Sequence, residues 1–468
     1  MDQRLLVGGD RVETGDWLDV RSPYSGESVG RVAKGGAREA ELALDAAAAA
    51  LAAPLPAHRR GELLTRVAAL LAERQEEAAR LICAEAGKPM KAARVEAARA
   101  VSTFTFAAVA ARTLAGEVVP MDASAAGEGK LAFTLRVPVG VVGAISPFNF
   151  PLNLVAHKVA PALAAGCPVV LKPASATPLS ALFLAGLVEA AGAPGGWLNV
   201  VAGAAGEIGD VLVEDERVRL ITFTGSGDVG WSLAARAPRK RVKLELGNAT
   251  PVIVNDDADA AAAAAKIAPN AYSFAGQSCI SVQRVYVVGR AYEPFVERLV
   301  AATDALRVGD PADEETDVGP VIDARARERI LDWVASSGGT VLTGGDTTAD
   351  GVIRPTVIAA PDPRAKVECE EVFGPVCTVT QVGSLGEAIE RANATRYGLQ
   401  AAIFTESARV ALAAAHRLEF GGVLVNEAPT FRADQMPYGG VKASGNTKEG
   451  PAWAVRELTE ERLVVLPV

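Results

Sequence analysis

The chain has 468 residues, too many for one ordinary hydrophobic core, so we expect two or three domains. Half of the residues are hydrophobic and 22% are charged, which excludes a disordered chain. The apolar stretches are too short to cross a bilayer, and a formal net charge of −9 provides no basic surface for polyanions. We therefore expect neither a membrane nor a nucleic-acid partner.

The cysteines and histidines argue against a disulfide framework and against a metal site. The five cysteines are an odd number without zinc spacing, which suits a reducing compartment. The three histidines show neither metal-site nor Ser/His spacing. This spacing leads us to expect no metal. The first residues lack the pattern of a secretory signal, so we expect a cytoplasmic location. If the chain is an enzyme, its nucleophile and base belong to other residue types.

The residues from Ala37 to about Pro120 have helical periodicity. The clearest prediction is one helix from Glu62 to Ala86, ended by Gly87. Its apolar stripe comprises Leu63, Leu64, Val67, Leu70 and Leu71.

Short β-branched runs then alternate with helical segments, which predicts a parallel, doubly wound α/β sheet. These runs cover 139–145, 169–171, 198–201, 220–223, 242–246 and 252–254. A second α/β portion is predicted from about 247 to about 442, with strands near 284–288, 377–381, 401–404 and 422–426. The apolar tail at 461–468 is expected to form a strand that another subunit covers, because exposed strand edges are hazardous.

Ligands of doubly wound sheets bind beyond the carboxyl ends of the strands, so reactive residues are expected in the loops that follow the strands. Cys279 lies in a small-residue loop, Gly276-Gln277-Ser278-Cys279. A lone cysteine is mostly an inert buried residue. A glycine-containing loop at a strand end instead offers access and a polar, amide-rich setting that lowers a thiol pKa, so Cys279 is a candidate nucleophile.

Two further loops carry candidate partners. Glu245 ends an apolar strand just before a glycine, where it is either an ion-pair partner or a general base. Asn149 stands between two prolines that fix its direction, although it is also a common turn residue.

Two more segments suit a phosphate-bearing ligand. Lys172 stands where a strand passes into a loop. Its side chain there either contacts a ribose or phosphate of a ligand or is solvated. The turn Gly225-Ser226-Gly227-Asp228-Val229-Gly230 exposes N–H groups at a helix start, which suits a pyrophosphate, although the glycine spacing is not the usual Gly-x-Gly-x-x-Gly.

Taken together and in this order, these segments resemble the aldehyde dehydrogenase superfamily over nearly the whole chain. The segments at 279–284 and 432–438 look most similar to the lactaldehyde, glyceraldehyde-phosphate and sulfolactaldehyde dehydrogenase group. The resemblance implies a catalytic set of Cys279 as nucleophile, Glu245 as base and Asn149 as oxyanion donor. It implies cofactor contacts at Ile145, Ser146, Pro147, Phe148, Lys172, Ser175, Gly225, Ser226, Gly230, Leu246, Gly247, Glu371 and Phe373. It implies substrate contacts at Phe150, His157, Ser278, Ile280 and Arg432.

The implied reaction is NAD(P)-dependent oxidation of an aldehyde to its acid. Cys279 forms a thiohemiacetal, hydride loss leaves a thioester, and water activated by Glu245 hydrolyses it. Relatives that transfer the acyl group to coenzyme A lack this carboxylate, so hydrolysis is favoured. Where relatives devoted to NAD often carry a glutamate, this chain has Ser175, which removes repulsion of a 2′-phosphate. We therefore predict that NADP is accepted and preferred or used alongside NAD. Asn248 replaces a glycine of many relatives, a change that the sequence does not explain.

The substrate is predicted to be a small polar or anionic aldehyde, such as lactaldehyde or a phospho- or sulfo-substituted aldehyde, because Arg432 stands where relatives line the aldehyde tunnel. A solvated loop arginine is the other interpretation of Arg432. Succinate-semialdehyde dehydrogenase is an alternative, although His157 and Ser273 replace arginine-bearing positions of those enzymes. An alternative of another class is a catalytically silent binding protein that retains the fold.

The resemblance also implies an aldehyde dehydrogenase-like α/β architecture. We expect a Rossmann-type dinucleotide-binding domain at 1–117 and 137–246 and an α/β catalytic domain at 247–445. A small β element at 118–136 and 446–468 is expected to bridge subunits of a homodimer or homotetramer.

Overall fold

A computed structural model describes residues 2–468. The α-helices in chain order are α1 Ala37–Ala52, α2 Ala57–Glu73, α3 Gln75–Ala86, α4 Met90–Thr113, α5 Asn153–Ala165, α6 Leu179–Ala190, α7 Ala205–Glu214, α8 Gly227–Arg236, α9 Ala260–Tyr272, α10 Tyr292–Asp304, α11 Ala324–Ala335, α12 Lys366–Cys369, α13 Leu385–Asn393, α14 Ala408–Arg417 and α15 Pro451–Glu457.

The strands in chain order are β1 Asp2–Gln3, β2 Leu5–Val7, β3 Asp10–Val12, β4 Trp17–Arg21, β5 Ser28–Ala33, β6 Val118–Val119, β7 Lys130–Pro138, β8 Val141–Ile145, β9 Val169–Lys172, β10 Leu198–Val200, β11 Val218–Thr224, β12 Arg241–Glu245, β13 Pro251–Val254, β14 Arg284–Val288, β15 Thr340–Thr343, β16 Thr356–Ala359, β17 Val376–Val382, β18 Gln400–Phe404, β19 Gly422–Val425 and β20 Thr459–Pro467.

The first large sheet has the order β12-β11-β8-β9-β10-β2-β3. Its first five strands are parallel, and the two N-terminal strands β2 and β3 are antiparallel to their neighbours. The chain winds from β8 through β9 to β10 on one side and returns to β11 and β12 on the other. The strand order therefore reverses at β8, which is where such sheets bind ligands. This confirms the predicted doubly wound sheet.

The second large sheet has the order β15-β16-β17-β14-β13-β18-β19, and all of its strands are parallel except β15. Four strands fall within a residue or so of the predicted runs. Its hydrophobic cores draw on residues between Val252 and Phe420, whereas the core of the first sheet runs from Leu5 to Leu246. Helix α15, which lies in the segment predicted to bridge subunits, packs against α4 and α5 and adds Val455 to the first core.

The helix predicted over 62–86 is in fact two helices. Arg74 leaves helical geometry with φ −111° and ψ 24°, so α2 ends at Glu73 and α3 begins at Gln75. The prediction was wrong because both helices bury an apolar face, and the periodicity continues across the break. Gly87 ends α3 in the left-handed region at φ 67°, as the sequence indicated.

The C-terminal strand β20 pairs along its whole length with β7 of the same chain, from Thr459 opposite Pro138 to Pro467 opposite Lys130. The expectation that another subunit covers this strand is therefore wrong for one of its edges. The other edge of β20 is the outer edge of the small sheet β20-β7-β6.

Candidate active site

A cavity of about 220 Å³ lies between the carboxyl edge of the first large sheet and the loop that precedes β14. Glu245, the last residue of β12, lines it from one side, and Cys279 lines it from the other. Apolar walls come from Phe150, Phe274 and Ile280. The charged part of the wall includes Arg99 and Arg432.

Cys279 presents its sulfur to the cavity, 2.9 Å from the hydroxyl of Tyr438. Burial raises the pKa of the thiol to about 12, although the hydrogen bond from Tyr438 opposes the rise. We expected the loop to lower this pKa. The lowering is not found, because desolvation of the sulfur outweighs the nearby polar groups, although the Cys279 side chain stays partly accessible as the loop predicted.

The nucleophile loop is held in a left-handed conformation. Phe274 and Ala275 have φ of 52° and 53°, and Gly276 has φ 68°. A Cβ on Gly276 would lie 2.1 Å from the carbonyl oxygen of Gly374, so only glycine fits there. The side chain of Gln277 then anchors the loop, because its Oε1 accepts the N–H of Ile322 at 2.8 Å.

Glu245 is almost fully buried, and neither carboxylate oxygen has a hydrogen-bond partner among residues 2–468. Burial, followed by repulsion from Glu449, raises the pKa of Glu245 well above its usual range. Lys158 attracts Glu245, but its own Nζ donates to Thr224 at 2.6 Å. A carboxyl group without a fixed partner, facing the same cavity as a thiol, is suited to general acid–base work.

Asn149 lies beside the nucleophile loop and donates from Nδ2 to the carbonyl oxygen of Gln277 at 3.0 Å. An amide nitrogen carries two N–H donors, so the second is left for another acceptor. The backbone N–H of Cys279 donates to no acceptor within the described part of the chain. These two donors can serve an oxyanion that forms next to the sulfur.

Arg432 is buried and held by three neighbours. Its Nη2 donates to Glu449 Oε2 at 2.7 Å and lies 3.2 Å from Nε2 of His157, while its guanidinium stacks 3.8 Å from the ring centre of Tyr438. Although burial opposes it, the Arg432 charge holds the pKa of Glu449 well below its usual range. The interpretation of Arg432 as a solvated loop residue is therefore wrong, because the side chain is 6% exposed.

Arg99, on helix α4, is the second arginine of the cavity, and the sequence analysis did not predict it as a site residue. Its Nη2 donates to Asp434 Oδ1 at 2.9 Å. The Nε atoms of both Arg99 and Arg432 are buried without an acceptor. His157, predicted to contact the substrate, does not line this cavity. Its Nε2 lies 3.1 Å from Oδ1 of Asp434, the atom that accepts the hydrogen bond from Arg99.

The crevice at β8 contains the residues predicted to hold the adenosine side of a cofactor. Ile145 pairs with Lys172 across β8 and β9, and Ser146 Oγ, just beyond, is buried without a partner. Burial lowers the pKa of Lys172 to about 8, and its Nζ donates only to the Pro173 carbonyl. Ser175 Oγ donates to the carbonyl of Gly203 at 2.9 Å.

The pyrophosphate turn leads into α8. Gly225 follows β11, and Ser226 precedes the first turn of α8 without capping it by a side-chain hydrogen bond. The first-turn N–H groups therefore have no side-chain partner and suit an anion. Gly230 lies against Leu246, where a Cβ would come within 2.5 Å of the leucine side chain.

Glu371 and Phe373 lie next to Gly247 and Phe148, respectively, which follow strands of the first sheet. Glu371 Oε1 accepts the N–H of Asn248 at 3.0 Å, and burial raises the pKa of Glu371 to about 7. A Cβ on Gly247 would lie 2.2 Å from Glu371, so the glycine admits this carboxyl. Phe373 has φ 48° and meets Phe148 edge to face, with ring centres 5.8 Å apart.

The cavity brings together seven of the predicted residues, whereas Asn149 and His157 do not line it. The cavity wall includes Cys279, Glu245, Phe150, Ser278, Ile280, Arg432 and Leu246. Sequence reasoning missed Arg99, Lys88, Glu449 and the contact of Tyr438 with Cys279. The sequence of α4 did contain a signal that this helix contributes to a polar site. Two polar residues, Glu96 and Thr103, interrupt its buried apolar face and are seven residues apart. Asn248, unexplained before, ties two segments by donating to Thr250 Oγ1 and to the carbonyl of Gln400.

Comparisons with known proteins identify the family to which the chain belongs. The model of the aldehyde dehydrogenase family matches residues 11–464. The 3-sulfolactaldehyde dehydrogenase of Priestia aryabhattai is 43% identical over 99% of this chain and 97% of its own length. The structure of aldehyde dehydrogenase 21 from Physcomitrella patens, in complex with the reaction product succinate, has a TM-score of 0.95 at 40% identity, covering 100% of this chain and 98% of that one.

A third similar protein is the glyceraldehyde-3-phosphate dehydrogenase of Methanocaldococcus jannaschii, whose structure is complexed with NADP. It has a TM-score of 0.93 at 38% identity and covers 98% of this chain and 100% of that one. The chain thus belongs to the aldehyde dehydrogenase family, in the group that the sequence indicated. It is an NAD(P)-dependent oxidoreductase that acts on aldehydes. Among residues 2–468, no helix is both long and apolar enough to span a membrane.

Proposed function

We propose that this enzyme oxidises a small polar or anionic aldehyde to its carboxylic acid, with Cys279 as nucleophile and Glu245 as base. The observation that supports the substrate class is the presence of Arg99 and Arg432 on the wall of the cavity that contains Cys279. Guanidinium groups bind carboxylate, phosphate and sulfonate oxygens through planar pairs of N–H donors.

In the first step the Cys279 thiolate attacks the aldehyde carbon, and a C–S bond forms as the carbonyl π electrons move to oxygen. The Nδ2 of Asn149 and the backbone N–H of Cys279 are the proposed donors for that oxyanion, since each keeps an N–H that no acceptor among residues 2–468 takes up. When NAD(P) is bound, it supplies the acceptor for the hydride that leaves the same carbon. A thioester on Cys279 remains.

Glu245 serves the second half of the reaction. It removes a proton from a water that attacks the thioester carbon, the C–S bond breaks, and the acid and the thiolate are released. The raised pKa of Glu245 makes its carboxylate a stronger base than an ordinary glutamate. No acyl acceptor other than water is required.

The residues of the crevice fit a dinucleotide. The N–H groups at the start of α8 suit the pyrophosphate, the orphaned Ser146 Oγ suits a polar group, and Glu371 suits the second ribose. The side chain at 175 is a small hydroxyl, turned toward the Gly203 carbonyl. Residue 175 therefore provides no carboxylate that would repel a 2′-phosphate, and Lys172 lies close to it in the chain. We propose that the enzyme uses NADP, either in preference to NAD or alongside it.

Succinate semialdehyde is the second candidate substrate. The support for it is the succinate product found in the Physcomitrella relative. The same two arginines are the proposed ligands of its carboxylate. His157 contacts Arg432 and not the substrate itself. A sulfonate or phosphate differs from this carboxylate in size and charge, so kinetics separate the candidates.

We also propose that the small sheet β20-β7-β6 joins copies of this chain into a homodimer or homotetramer. Its outer edge is unpaired, and Leu463 and Val118 are 57% and 75% exposed. In this division, 1–117 and 137–246 bind the cofactor and 247–445 carry the nucleophile.

Steady-state kinetics with a matched aldehyde series test the proposal. Propanal, lactaldehyde, succinate semialdehyde, glyceraldehyde 3-phosphate and sulfolactaldehyde are each compared with NAD and with NADP. We expect kcat/KM for an anionic or hydroxylated aldehyde to exceed that for propanal by at least tenfold. A flat profile would contradict the proposed substrate class, and inactivity with all aldehydes would favour a silent binding protein.

A further inference from the structure

The hydroxyl of Tyr438 is the one side-chain hydrogen-bond partner of the Cys279 sulfur among residues 2–468, at 2.9 Å. We propose that Tyr438 is a further catalytic residue, which donates its O–H to the sulfur and stabilises the Cys279 thiolate. This inference rests on the proposed role of Cys279 as the nucleophile.

The surroundings of Tyr438 make it a donor that keeps its own proton. It is buried, and that burial raises its pKa well above the usual value for a phenol. A neutral phenol can only donate to a thiolate, because the thiolate has no proton. The hydrogen bond therefore strengthens when Cys279 ionises, and Tyr438 itself undergoes no proton transfer.

Arg432 supports this role by stacking on the ring of Tyr438. Its guanidinium lies 3.8 Å from the centre of the Tyr438 ring. A cation over the ring draws electron density from the phenol and makes the O–H a stronger donor. The group that we propose to bind the anionic part of the substrate is thereby in contact with the residue that holds the nucleophile.

Three other side chains act on the charge of Cys279. The charged groups that act on Cys279 are Glu371 and Glu245, which disfavour a thiolate, and Arg432, which favours it more weakly than the Tyr438 hydrogen bond does. Arg432 is also engaged by Glu449. Burial opposes ionisation as well, and the hydrogen bond from Tyr438 counteracts it.

The test is the rate of iodoacetamide alkylation of Cys279 between pH 7 and 10, followed on the Cys279 peptide by mass spectrometry. Y438F removes only the hydroxyl and keeps the ring on which Arg432 stacks. We expect the thiol pKa to rise by about one unit. Because a more basic thiolate is intrinsically more reactive, alkylation should slow by about threefold, a smaller factor than the tenfold loss of thiolate.

Y286F is the matched control. Tyr286 is also buried, and its hydroxyl also contacts an arginine, accepting from Arg284 Nη1 at 3.2 Å, but it lies away from the cavity. This variant should alkylate like the wild type. Equal alkylation rates for Y438F and wild type at every pH would overturn the inference.

C279S separates this inference from the proposed function. If C279S remains active, the proposed nucleophile is wrong; if C279S is inactive while Y438F matches the wild type, only the role of Tyr438 fails. Should Y438F be insoluble, a ring-fluorinated tyrosine at 438 is the second variant. As a stronger donor it should increase the thiolate fraction and speed alkylation, and an unchanged alkylation rate would count against the proposal.

Discussion

Arg99 donates a hydrogen bond to Asp434 at 2.9 Å, although the two residues are 335 positions apart in the sequence. Asp434 follows Arg432 by two residues, so this bond fixes the two arginines of the cavity relative to one another. His157, within 3.3 Å of both Asp434 and Arg432, braces the same loop. Donors held in a fixed arrangement favour an anion of matching size.

Replacing Arg99 by Met should impair anionic aldehydes selectively. Loss of a charge-assisted hydrogen bond costs about 1.5–3 kcal/mol, so KM for the anionic aldehyde should rise roughly tenfold to a hundredfold. KM for propanal should change little, since propanal offers no anion. R94M is the control, because Arg94 lies on the same helix but pairs with Glu76 and Glu314 on the surface. Similar losses for both aldehydes would contradict an anion site at Arg99.

Replacing Arg432 by Met should also lower stability. The change removes the nearer cation of the buried Glu449 and leaves it only Lys158, at 3.9 Å; breaking a buried ion pair typically costs about 3–5 kcal/mol. R432M/E449Q removes the stranded charge as well and should recover most of the loss. Thermal unfolding of the two variants measures this. If both unfold at the same temperature, the pair does not make the contribution that we assign to it.

NADP binding should weaken as the pH rises above about 8. Lys172 has its pKa lowered to about 8 by burial, so the free enzyme loses this positive charge above that pH. The protonated lysine attracts a phosphate, and the affinity should therefore fall by up to tenfold per pH unit. Fluorescence titration with NADP between pH 7 and 9.5 measures the slope. K172M should bind weakly with no slope, and an unchanged slope in K172M would exclude Lys172 as its source.

Adjacent substitutions in the nucleophile loop should have opposite effects. Ala275 has φ 53°, a conformation that costs a non-glycine residue about 1 kcal/mol or more, so A275G should not destabilise the enzyme and should stabilise it by up to about 1 kcal/mol. G276A forces a Cβ to within 2.1 Å of the Gly374 carbonyl and should destabilise the loop and reduce activity. Unfolding temperatures and kcat report both effects. A stable, active G276A would show that the loop is not constrained in this way.

Much of the fold follows from local patterns, because β-branched runs and glycine stops are short-range signals. The strand 284–288 was predicted to the residue, and Gly87 ends its helix as expected. The break at Arg74 leaves no mark in the apolar periodicity, and no local pattern reveals that β20 pairs with β7.

The candidate site divides in the same way. Cys279, Glu245 and Asn149 stand in recognisable loops, whereas Arg99 meets Asp434 only through tertiary packing. The raised thiol pKa of Cys279 could not be predicted either, since it depends on how much water the folded chain removes from around the sulfur.

The most direct test of the central claim is to trap the acyl-enzyme in E245Q. The variant keeps the shape of Glu245 but cannot take a proton from water, so the first half of the reaction should proceed and hydrolysis should stall. After mixing with NADP and a reactive aldehyde, intact-protein mass spectrometry should show one acyl group per chain, and peptide mapping should place it on Cys279. One equivalent of NADPH should form in the same burst. An E245Q enzyme that turns over like the wild type, or an acyl group on another residue, would contradict the mechanism.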